Sequence, residues 1–169
     1  SPDARLVAYP SSDGITYIQS TDDDERWAVP SGGRSINFSP DGKRIGWHLM
    51  SPKNGSYYKQ SFELWLANVD GSDAQKVITV TGGDIVGWFP DSNRWLVQSS
   101  DLSEQNYTLM VLDLDSEDRL EIARAGRLGA ASLSPGGDWV AFQVTASGDA
   151  DHDGLWVVRS DGSDMRKLE

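Results

Sequence analysis

Phe38-Ser39-Pro40-Asp41-Gly42-Lys43-Arg44-Ile45-Gly46-Trp47 is a phrase that the chain repeats. Trp88-Phe89-Pro90-Asp91-Ser92-Asn93-Arg94-Trp95-Leu96-Val97 restates it, as does Leu133-Ser134-Pro135-Gly136-Gly137-Asp138-Trp139-Val140-Ala141-Phe142. Ser1-Pro2-Asp3-Ala4-Arg5-Leu6-Val7-Ala8-Tyr9 is a fourth copy, entered after its start. The prolines Pro2, Pro40, Pro90 and Pro135 stand 38, 50 and 45 residues apart. Repeats of that length are supersecondary units that bury their apolar faces against one another. Each phrase reads as strand, tight turn, strand. Proline presets one backbone angle, and the Asp-Gly or Gly-Gly that follows supplies the permissive one.

Working outward, each phrase is followed by two further strands. The first unit reads as strands over 5–9, 15–20 and 26–29, with turns at Pro10–Gly14 and Asp22–Glu25. The second reads as strands over 35–38, 44–50, 62–69 and 75–80, with a long polar loop over 51–61 and a turn at Asp70-Gly71-Ser72-Asp73. The third has strands over 85–88, 94–99, 107–114 and 119–122; the fourth has them over 129–133, 139–145, 154–159 and 165–168. No stretch of ten residues carries helical periodicity. Four short strands per repeat at this period point to an all-β fold, a β-propeller of four-stranded antiparallel blades. The blades fall at about 1–33, 34–83, 84–127 and 128–169 of a single domain, the first lacking its innermost strand. Four blades make either part of a larger ring or half of a dimeric eight-bladed ring, so self-association to complete the ring is one expectation.

The 169 residues include 15 Lys and Arg against 26 Asp and Glu, a net charge of −11. That balance argues against binding nucleic acid or an anionic membrane surface. There is no cysteine, hence no disulfide framework or thiolate metal site, and no apolar run of transmembrane length.

Ser39-Pro40-Asp41-Gly42, a basic residue and an apolar strand, then Leu-Trp and Asp-Gly-Ser-Asp at 70–73 and 161–164, resemble the TolB-type, WD40-like propeller repeat. The resemblance covers nearly the whole chain and implies a blade, not a particular task. It implies a non-catalytic scaffold or module that binds protein or peptide, in a periplasmic or secreted setting. It also admits a substrate-gating propeller of a larger prolyl-oligopeptidase-like or tricorn-like serine peptidase. A third reading is a calcium-dependent carbohydrate-binding propeller.

Candidate sites follow from residue type and place. Asp149-Ala150-Asp151-His152-Asp153-Gly154 has the alternating carboxylates that open an oxygen-ligand loop for a calcium ion. Against an EF-hand, the residue at loop position twelve is Ser160, and Gly154 opens a strand rather than a helix. Asp22–Glu25 is an acidic surface turn. Tyr57 and Tyr58 on the longest loop, and Trp88 at the end of an innermost strand, are candidate binding residues. His48 alternates out of phase with Trp47 and reads as packed. No Gly-x-Ser-x-Gly elbow is present, and no nucleophile neighbours a histidine, so no catalytic residue is nominated. Pro40, Asp41 and Gly42 read as turn-makers; Trp47, Trp95, Trp139, Trp65 and Trp156, all in second or third strands, read as wedges between sheets.

Overall fold

The computed structural model of the chain describes residues 1–50, 61–101, 106–145 and 149–168. Among the described residues fifteen strands form four antiparallel sheets. Blade 1 comprises β1 (Leu6–Pro10), β2 (Thr16–Ser20) and β3 (Arg26–Ala28), in the order β1-β2-β3. Blade 2 comprises β4 (Arg34–Phe38), β5 (Arg44–Met50), β6 (Ser61–Asn68) and β7 (Gln75–Thr81). Blade 3 holds β8 (Asp84–Trp88), β9 (Arg94–Asp101), β10 (Asn106–Asp113) and β11 (Arg119–Ala125). Blade 4 holds β12 (Leu128–Leu133), β13 (Trp139–Val144), β14 (Gly154–Arg159) and β15 (Arg166–Lys167). None of the sheets closes on itself. The all-β class and the three-stranded first blade are as the repeat implies; the molecule is a partial, four-bladed propeller.

Three apolar clusters, one between each pair of neighbouring blades, hold the arc together. Ile18 and Val29 of blade 1 meet Ile45, Trp47 and Ala67 of blade 2. Leu64, Leu66, Ile78 and Val80 of blade 2 meet Ile85, Trp95, Val97 and Leu112 of blade 3. Leu96, Leu109 and Val111 of blade 3 meet Val140, Phe142 and Val158 of blade 4. Since side chains alternate across a strand, each inner sheet spends one set on the preceding blade and the other on the following blade. A fully buried leucine or isoleucine at such a seam contributes about 2 kcal/mol relative to exposure.

The turn phrase sits at one edge of every sheet and is built from side chains. Asp41 accepts the Ser39 hydroxyl at 2.6 Å and the Lys43 N–H at 3.1 Å, while the Arg44 N–H donates to Ser39 Oγ at 2.9 Å. Gly42 occupies the left-handed region at φ 71°, and the same slot holds Ala4 at 60°, Ser92 at 59° and Gly137 at 79°. Ser92, buried in its turn, accepts the Asp41 N–H at 3.0 Å and so ties two blades together.

Two irregularities recur from blade to blade. The innermost strands β4, β8 and β12 each slip register against their partners, between Arg34 and Asn37, Ile85 and Gly87, and Leu128 and Ala131. The third strands β6 and β10 slip against the outer strands at Leu64/Trp65 and Leu109/Met110. A bulge at the same place in successive blades increases local twist, which wedge-shaped packing around a ring requires.

Candidate binding cleft at the channel mouth

At the sheet edge opposite the turn phrases, the chain crosses from the outer strand of one blade to the innermost strand of the next. Gly82 and Gly83 make the crossing into blade 3. A Cβ on Gly83 would overlap the Gln98 carbonyl oxygen, and one on Gly82 would lie 2.5 Å from Ser100 Oγ. The two glycines let the crossing hug β9, and Asp84 emerges at the rim of a cavity of about 610 Å³.

His48, Phe62, Asp84, Gln98, Tyr107 and Arg34 define the cavity. Strand pairing assembles them: Arg34 is the register partner of His48, and Asp84 that of Gln98. The His48 side chain is 15% exposed, and its Nδ1 stands 2.9 Å from Asp84 Oδ1, out of line for a hydrogen bond. Asp84 Oδ1 accepts the Ile85 N–H at 2.7 Å, which aims the carboxylate. The imidazole meets Phe62 edge-on, with ring centroids 5.4 Å apart at 76°. Arg34 is exposed and pairs with no carboxylate among the described residues. The wall thus offers a guanidinium, an imidazole, a carboxylate and a primary amide above an aromatic floor. Such a lining can hold polar backbone groups and an apolar side chain together.

Among the described residues no serine or threonine hydroxyl is hydrogen-bonded to either imidazole, and no three His, Asp or Glu side chains gather as metal ligands.

The other candidate residues fall elsewhere. Trp88 lies at the turn edge, away from the cleft; its indole N–H donates to the Asn37 carbonyl of blade 2 at 3.1 Å, and its ring meets Trp95 edge-on at 5.3 Å. Tyr57 and Tyr58 lie outside the described residues. Asp149 turns its carboxylate into its own loop, accepting the Asp151 N–H at 2.9 Å and lying 2.9 Å from His152 Nδ1. The His152 contact first, and the Asp151 N–H second, hold the Asp149 carboxyl below its ordinary value. The Asp153 N–H bonds to the Asp149 carbonyl at 3.2 Å. Asp149 thus lies at a hairpin end with its carboxylate turned toward the Asp151 N–H and His152.

The tryptophans divide by position. Trp47 and Trp95 are fully buried between sheets, and each leaves its N–H without an acceptor. Trp65, half-buried, stacks on Trp47 at 6.2 Å. Trp156, also half-buried, packs against the seam of blades 3 and 4 and donates to the His152 carbonyl at 2.9 Å. Trp139 faces the other way, onto the uncovered side of blade 4, with the Arg159 and Arg166 guanidiniums 4.5 and 5.4 Å from its ring centre. Trp27, unassigned by pattern, donates to the Val69 carbonyl of blade 2 at 2.9 Å. The cleft residues Asp84 and Gln98 escaped the sequence reading; the Gly-Gly pair before Asp84, matching the Gly32-Gly33 before Arg34, was the available signal.

No family model and no curated protein matches the chain. Among solved structures it is similar to a TolB from Agrobacterium tumefaciens (TM-score 0.70, 22% identity), covering 100% of this chain and 59% of that one. It is also similar to the β-propeller domain of the Trilobed protease from Pyrococcus furiosus (TM-score 0.72, 18% identity), covering 98% and 54%. TolB from Acinetobacter baumannii matches at TM-score 0.70 and 17% identity, covering 99% and 41%. The chain spans about half the length of these structures. At such identities the likeness is one of fold: four blades of a β-propeller of the kind found in TolB and in peptidase-associated domains.

Proposed function

We propose that the chain is a non-catalytic binding module of the TolB-like propeller type, which takes a protein or peptide segment at the channel mouth. The observation that carries this reading is the cleft around His48 and Asp84, where groups of opposite charge and an amide surround the Phe62 floor. An extended peptide offers alternating N–H and C=O groups and intermittent apolar side chains. Asp84 and Gln98 suit its donors, Arg34 its carbonyls or an acidic side chain, and Phe62 an apolar residue.

Panning a random peptide library displayed on phage against the chain, and in parallel against Asp84→Lys and Phe62→Ala variants, tests the reading. Peptides enriched on the parent chain and lost on both variants support it. Failure to enrich any sequence, or enrichment undiminished on both variants, contradicts it.

A further inference from the structure

The two outermost sheets each leave one face uncovered, and the two faces are complementary rather than alike. Strand register identifies them. On blade 1 the pairs Val7/Gln19 and Tyr9/Tyr17 point away from blade 2, while Ala8/Ile18 point into the seam with it. On blade 4 the pairs Trp139/Arg159 and Ala141/Val157 point outward, while Val140/Val158 and Phe142/Trp156 face blade 3.

The seam between blades 1 and 2 shows what each free face is shaped to meet. There, the Trp47–Trp65 stack of blade 2, with centroids 6.2 Å apart, lies under Leu6, Ala8 and Ile18 of blade 1. Tyr9 stands as far beyond its proline as Trp47 does, and Tyr17 is the strand counterpart of Trp65. These tyrosines form a similar pair, with centroids 6.3 Å apart, on the free face of blade 1. Trp139, Ala141 and Val157 of blade 4 fall at the positions of Leu6, Ala8 and Ile18. Blade 4 therefore presents the covering half of an inter-blade seam, and blade 1 presents the aromatic half.

Exposure agrees with this pairing, and so does one charge pair at the turn edge, while Arg26 of blade 1 lies over the Tyr17 ring on its free face. Val7 is 47% exposed and Leu155 48%, both on the free faces. At the turn edge, blade 1 carries the exposed run Asp22–Glu25, and blade 4 carries Arg166, which makes no ion pair among the described residues. The contact brings Arg166, which lies over the Trp139 ring on the blade 4 face, toward the acidic run of blade 1.

We propose that the outer face of blade 4 docks on the outer face of blade 1 of a second copy of this chain. Two reciprocal contacts of this kind join two four-bladed arcs into one closed, two-fold assembly. Both faces are continuous with the seams inside each copy, and the contact is heterologous, the Tyr9–Tyr17 face on the Trp139–Ala141–Val157 face.

Sedimentation velocity over the micromolar range tests the proposal on the 169-residue chain. The expected species has twice the 18.5 kDa of one chain. Val157→Glu and Leu155→Glu are expected to abolish it while the far-UV circular dichroism stays that of the parent. Arg166→Glu is expected to weaken the dimer, and adding Asp23→Lys and Asp24→Lys to the same chain to restore it. Because the chain has no cysteine, a Tyr9→Cys chain mixed with a Val157→Cys chain under mild oxidation is expected to give a covalent pair. A parent chain that stays monomeric throughout overturns the proposal. So does a dimer that survives Val157→Glu and Leu155→Glu with no Tyr9–Val157 disulfide, since its interface lies elsewhere.

Discussion

Gly46 of blade 2 lies directly against the six-membered ring of Trp95 in blade 3: a Cβ added at Gly46 would stand 2.5 Å from Trp95 Cζ2. Both residues are buried, and Trp95 is closed in on its other sides by the second apolar cluster. Replacing Gly46 with alanine must therefore push the seam apart, at about 2 kcal/mol, as overpacking in a well-filled core does. Gly87, with nothing within 4 Å of its Cβ direction, is the control. Urea unfolding of both alanine variants is expected to lower the midpoint for Gly46→Ala and to change it little for Gly87→Ala.

The glycine slot of the turn phrase makes a second case. Ala4 holds φ 60° there without compensation from its side chain. Ala4→Gly is expected to raise stability by about 1 kcal/mol, because the left-handed region costs a residue with a Cβ roughly that much. Ser92 occupies the same slot at 59°, yet its hydroxyl accepts the Asp41 N–H from the neighbouring blade. Ser92→Gly exchanges a backbone gain for a lost inter-blade bond of similar size, about 1 kcal/mol. Its unfolding midpoint is therefore expected to fall below that of Ala4→Gly.

Trp88 acts across a seam at the turn edge. Trp88→Phe removes its bond to the Asn37 carbonyl and is expected to cost about 1 kcal/mol in stability. Peptide binding at the opposite edge is expected to be unchanged, read by fluorescence anisotropy of a labelled peptide taken from the library selection.

Much of this architecture was legible in the chain, for local reasons. Proline followed by Asp-Gly or Gly-Gly fixes a turn, alternation fixes the flanking strands, and repetition of the phrase counts the blades. Ala4 and Ser92 in the glycine slot were legible too, by alignment on the prolines. The facing of Trp139 needed a finer count. It stands four residues beyond its proline and Trp95 five, so the two project from opposite sides of their sheets. The bulges in β4, β8 and β12 were not legible, because they answer to twist between sheets rather than to any local residue preference. Nor was the His48–Asp84 approach, which joins residues 36 positions apart across a blade seam.

The turns also set the response to acid. The Ser72 hydroxyl, then its N–H, hold the Asp70 carboxyl below its ordinary value; the Ser163 hydroxyl and N–H do the same for Asp161. For Asp113 the cause is the Ser116 N–H, followed by that of Asp115. A carboxyl whose folded pKa is depressed contributes stability above its unfolded value of about 3.9, and loses it as pH falls through the folded pKa. The urea midpoint is thus expected to hold steady from neutrality down to about pH 5 and to drop below about pH 4. The double variant Asp70→Asn/Asp161→Asn, which loses the titration of these two carboxyls, is expected to show a shallower drop.

The claim that recognition occurs at the channel mouth is tested most directly by amide chemical-shift mapping with a library-selected peptide. The expected shifts fall on Gly83, Asp84, Gln98 and Tyr107, while Asp41 and Ser92 at the turn edge stay in place. Shifts confined to the turn edge around Trp88, with Asp84 and Gln98 unmoved, would contradict the account.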